Sequence, residues 1–190
     1  YEVTYDQALV VKMTKGNGTI VWSKYVNSYL SPGSEVNASA SSVVQLNNNN
    51  IVVSFRQYNN SFLSDEIGLV ALDTNGVLQW TKTYLLDNGS PDSEHRLLRD
   101  GSNNIYVVFR GYNARNSDNA WKILKLDSTG DKIWARAITN NGMSMYFNYS
   151  WGNEFAALSN THIYIAGYTY IPNDNNSTSL LIRFPVDGYK

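Results

Sequence analysis

His95 and His162 are the only imidazoles of the chain, 67 positions apart, and no cysteine is present to join either of them in a metal set. Neither belongs to an HExxH spacing, so no metal site is expected. A serine nucleophile would need an elbow such as GxSxG, and phosphate chemistry a Walker or GxGxxG loop; none occurs. Asp65 and Glu66 read as a local carboxylate pair in a loop, and spacing alone cannot set two carboxylates across a substrate. Residues 127–131, DSTGD, offer oxygen ligands suited to calcium but lack the full alternating loop. Asp73 recurs at the matching turn, which points to turn chemistry instead. The expectation is a chain that is not an enzyme, with no catalytic residue and no cofactor.

One constellation suits binding. Tyr58, Tyr112 and Tyr168 each close an apolar run, with Arg56 and Arg110 two residues before the first two and Ala166 at that place in the third. Aromatic faces beside amide-rich loops can stack on sugar rings or pack on a partner protein. Read this way, the three tyrosines with Arg56 and Arg110 form a candidate ligand-binding rim; the plainer reading is packing between repeated units. Tyr149, Trp151 and Tyr170 are further aromatic candidates in neighbouring segments.

The elements that would position this row announce themselves by repetition. Residues 67–82, IGLVALDTNGVLQWTK, return as 121–136, WKILKLDSTGDKIWAR, and with a longer turn as 8–24, ALVVKMTKGNGTIVWSK. Each is an apolar run, a polar turn closed by glycine, and a second run with tryptophan four residues later, which reads as a hairpin. The turn glycines Gly18, Gly76, Gly130 and Gly188 are 58, 54 and 58 residues apart. Trp22, Trp80 and Trp134 recur with them and read as structural aromatics, each able to bury roughly 150–250 Å². Between these hairpins lie others: VVQLNNNNIVVSF, RLLRDGSNNIYVVF and FAALSNTHIYIAG. Four short strands per period predict an all-β chain of β-propeller type, with little helix. The units fall at 8–25 (a half unit), 43–85, 96–138 and 155–190 (incomplete), roughly thirteen strands in all. The incomplete ends predict a partial propeller of three to four blades, completed by further sequence or by another chain.

Bulk properties narrow the partners. Fifteen basic residues against 16 acidic ones give a net charge of -1, leaving no field to gather nucleic acid or anionic lipid. No apolar run is long enough for a membrane helix. The start, YEVTYDQ, has no methionine and no signal-peptide pattern, so a processed chain or part of a longer one is expected.

The segments LDTNGVLQW, LDSTGDKIW and IYIAGYTY followed by SLLIRFPVDG resemble the repeats of SBBP-type β-propeller proteins of bacteria and phages. They are also similar to modules in large virion proteins of tailed phages, marine ones especially. The resemblance implies a structural or recognition module of a phage tail or fibre. Its partners would be other virion or surface proteins and host glycan, and its location the virion. Ala71, Leu72, Asp73, Gly76 and Trp80 also resemble the turn of quinoprotein-like propellers, although the aspartate-to-glycine distance is shorter here. That resemblance implies a cell-envelope scaffold or enzyme domain.

Overall fold

The computed structural model describes residues 8–26, 38–59, 64–84, 91–113, 118–138, 155–170 and 177–187. They form thirteen strands and no helix: β1 (Leu9–Met13), β2 (Ile20–Tyr25), β3 (Ala38–Gln45), β4 (Ile51–Asn59), β5 (Ser64–Leu72), β6 (Leu78–Tyr84), β7 (Pro91–Arg99), β8 (Ile105–Asn113), β9 (Asp118–Leu126), β10 (Lys132–Ile138), β11 (Phe155–Leu158), β12 (His162–Tyr170) and β13 (Ser177–Pro185). Every pairing is antiparallel between sequence neighbours, giving four sheets: β1–β2, β3 to β6, β7 to β10, and β11 to β13.

β4 and β8, IVVSFRQYN and IYVVFRGYN, owe their extended form to β-branched and aromatic residues. β5 reads as an unbroken apolar run because both of its faces are covered: Leu69, Val70, Ala71 and Leu72 are all fully buried. One face of the second sheet, with Ala38, Phe55, Val70 and Leu72, packs on Ala8, Val10, Trp22 and Val26 of the first. Its other face, with Val52, Ile67, Leu69 and Ala71, packs on Leu97, Ile105, Val107 and Leu124 of the third. The third sheet turns Tyr106, Val108, Trp121 and Ile123 toward Ile163, Ile165 and Phe184 of the fourth. No core cluster among the described residues joins the first sheet to the last, so the sheets form an open array.

β3 begins at Ala38 and β7 at Pro91, each ahead of the apolar run that marks it in the sequence. The early parts, ASASS and PDSE, carry no alternation of apolar residues, and each contains a register shift. At the first of these, Ser41 Oγ accepts from His95 N at 3.0 Å and donates to His95 O at 2.8 Å, while Ser42 Oγ accepts from Leu97 N at 3.1 Å. Two serines thus satisfy the outer backbone edge of β7, which has no strand beside it among the described residues.

Gly68 pairs with Phe55 across β4 and β5, and a Cβ at Gly68 would fall 2.0 Å from the Phe55 ring. The ring therefore lies over a position that only glycine can fill. Gly68→Ala is expected to displace Phe55 and to lower stability by roughly 1–3 kcal/mol, the usual cost of overpacking. Urea unfolding measures this, and an unchanged midpoint would contradict the packing.

Candidate recognition surface

Meander topology sorts the connections between two ends of the array. At one end lie the described turns, β1–β2, β3–β4, β5–β6, β7–β8, β9–β10 and β11–β12. At the other end the ladders run toward segments 60–63, 114–117 and 171–176 within sheets and 27–37, 85–90 and 139–154 between them. The first is the turn end and the second the loop end.

The turn end is engaged in holding sheets together. Asp73 Oδ1 accepts from the backbone of Asn75 (2.8 Å) and Val77 (2.9 Å), and Asp127 Oδ1 from Thr129 (2.8 Å) and Asp131 (2.9 Å). Gly76 and Gly130 close these turns at φ +76° and +82°, where a side chain would be strained. Each also lies against a tryptophan of the preceding sheet: a Cβ at Gly76 or Gly130 would come within 3.0 Å of the Trp22 or Trp80 ring. The indoles donate to the same turns, Trp22 Nε1 to Thr74 O at 3.0 Å and Trp80 Nε1 to Ser128 O at 3.2 Å. Lys12 Nζ donates to Thr74 O, Tyr84 OH to Gly130 O, and Lys82 pairs with Asp131 at 2.6 Å. Burial, and after it the Asp131 and Asp127 carboxylates, raise the Tyr84 hydroxyl well above its ordinary pKa, so it stays a donor. Trp134 lies 5.9 Å from the Phe184 ring and 6.2 Å from Tyr106. Gly18 has φ +69°; Gly188 lies outside the described residues.

The same end is sewn together by the other turns. Asn47 N donates to Asn103 Oδ1 at 2.8 Å, Asn47 Nδ2 to Gly101 O at 3.1 Å, and Arg99 donates to Asn47 Oδ1. Asp100 accepts from Ser102, Asn104 and Tyr106. Burial pushes its carboxyl up, but those hydrogen bonds outweigh it and hold the group below its usual range. In residues 127–131 Asp127 Oδ1 accepts from two backbone N–H groups and the Thr129 hydroxyl, and Lys82 of the second sheet pairs with Asp131. Among the described residues no group of three His, Cys, Asp or Glu side chains could hold a metal, and no helix is long and apolar enough to cross a membrane.

The candidate rim lies toward the loop end. Tyr58 pairs with Asp65 and Tyr112 with Asn119, each one step from the end of a ladder. In the fourth sheet Tyr170, opposite Ser177, ends the ladder, and Tyr168 pairs with Ser179, two steps nearer the turn. Arg56 and Arg110 pair with Ile67 and Trp121, two steps nearer the turn than Tyr58 and Tyr112. The side chains of these tyrosines, of Tyr168 and of Arg110 lie outside the described residues, as do Tyr149 and Trp151.

Arg56 is half-buried between the second and third sheets. Asp65 and Glu66 belong to β5, not to a loop, and Glu66 is buried, accepting from Gln57 Nε2 at 2.8 Å. Next to a loop, cross-strand pairing can be recognised only once Gln57 is known to face Glu66. His162 stands at the turn end, with Nδ1 2.8 Å from Thr161 Oγ1. His95 lies in mid-strand, 1% exposed, so the two imidazoles are not brought together.

Burial, and after it the Arg56 charge, lower the His95 pKa from 6.5 to about 4. The folded chain thus favours the neutral ring, whereas the unfolded chain binds a proton near pH 6.5. The contribution of His95 to stability is therefore full above pH 6.5 and lost as pH drops toward 4, a difference of roughly 3 kcal/mol. His95→Leu is expected to flatten this part of the unfolding midpoint against pH, and equal slopes in variant and parent would contradict the assignment.

No protein-family model matches the chain, and no curated protein matches it in sequence.

Proposed function

We propose that the chain is a non-enzymatic β-propeller module of a larger virion protein, a part of a phage tail or fibre, whose loop end supports assembly or meets host-surface glycan. The observation that carries this reading is the division of labour between the two ends. The turns are taken up by contacts from sheet to sheet, while the long Asn-, Ser- and Tyr-bearing segments all connect ladders at the opposite end. A propeller is favoured by the close approach of the first strands, β3 against β7 and β7 against β11, as expected of sheets fanned about an axis. Rigid sheets would then hold variable loops in place, so that little entropy is lost on contact.

The docking of Trp22 and Trp80 on the following turn favours a second reading, a quinoprotein-like scaffold or enzyme domain of the cell envelope. In that case the purified protein would carry a cofactor absorbance that the virion module lacks.

Tyr112→Ala combined with Tyr168→Ala tests the loop end. Attachment to host cells or glycan-array binding should fall while the unfolding midpoint stays within about 0.5 kcal/mol of the parent, as for surface changes. Undiminished binding would contradict the rim.

A further inference from the structure

The first sheet is half of what its companions are. β1–β2 matches β5–β6 and β9–β10, because Lys12, Ala71 and Lys125 are the respective partners of Trp22, Trp80 and Trp134. In the two complete sheets, a further pair of strands lies beside β5 and β9; beside β1 there is none among the described residues.

The consequences are visible residue by residue. Met13 is 54% exposed, whereas Leu72 and Leu126 in the same place are 0% exposed. Val11 is 40% exposed against 0% for Val70 and 2% for Leu124. Across the gap, Val43 of β3 is 59% exposed, and its counterpart Leu97 of β7 only 5%. Between them runs a groove of about 510 Å³, lined by Val11, Met13, Trp22, Val43 and Val53. The backbone is also prepared. Val26 N donates to Ala8 O at 2.8 Å, so alternation along the ladder directs the N–H and C=O of Leu9, Val11 and Met13 away from β2. An apolar groove beside a row of outward-facing amides is a template for an added strand.

We propose that the β1 edge and its groove take up a β-hairpin from a partner polypeptide of this same repeat type, its second strand antiparallel to β1. The occupant's chemistry is set by the complete sheets: two strands joined by a short polar turn, with the second strand apolar on both faces like β4 and β8. Its register follows too. In β4 the ring of Phe55 requires Gly68 opposite, but β1 has Leu9 at that place. β8 sets Phe109 opposite Lys122, a position that tolerates a side chain. The occupant should therefore resemble β7–β8 more than β3–β4. This inference draws on the repeated sheets that underlie the propeller reading, and not on what the loop end binds, so either can fail alone.

The test adds a synthetic peptide with the sequence of residues 91–113 to the intact protein and follows hydrogen exchange at single amides. Exchange at Leu9, Val11 and Met13 should slow, and Trp22 fluorescence should change in step. A peptide of residues 38–59 should bind more weakly. Met13→Lys, at an exposed position, should weaken the effect of the first peptide about tenfold by placing a charge in the groove, without moving the unfolding midpoint. Unchanged exchange at saturating peptide would overturn the proposal. So would protection of the same amides without peptide that grows with protein concentration, since a second copy would then be the occupant.

Discussion

An indole laid over a glycine of the next sheet's turn is the contact on which the arrangement rests. It needs three things at once: a turn that brings glycine to positive φ, the absence of a Cβ so the ring can approach, and a carbonyl two residues earlier to accept the indole proton. Trp22 on Gly76 and Trp80 on Gly130 meet all three. The aspartate at the head of each turn serves the same contact, because its carboxylate fixes the backbone that presents glycine and carbonyl. Repetition follows from this economy: the first and second sheets each offer a tryptophan to the turn of the next, so stability accumulates through nearest neighbours.

Because the contact sits at one end of the first three sheets, it separates the molecule's tasks. Side chains at the turn end are held by the sheets themselves, down to Lys12, Lys82 and Tyr84, each of which has a partner on the following sheet. The strands carry buried polar groups toward the loop end, Gln57 with Glu66 and His95 near Arg56, before they lead into the connecting segments. Function placed on those segments would be insulated from the contacts that hold the array together.

The strand pattern and its period were legible in the sequence because burial on both faces leaves continuous apolar runs, IVVSF and IGLVAL, between turns of fixed chemistry. What was not legible lay where side chains are small or polar. ASASS of β3 shows no alternation, yet its serines satisfy the edge of β7. Glu66 looks like a loop carboxylate until its cross-strand partner is known. The tryptophans could be marked as structural by recurrence, but the atoms they meet belong to residues 48 and 52 positions away.

Exchange of the Trp80 indole proton, followed by NMR in deuterated water, tests this contact most directly. The account predicts slow exchange, with the proton released only when the second and third sheets separate. Exchange at the rate of an unstructured tryptophan, in a chain whose β5 amides remain protected, would contradict it.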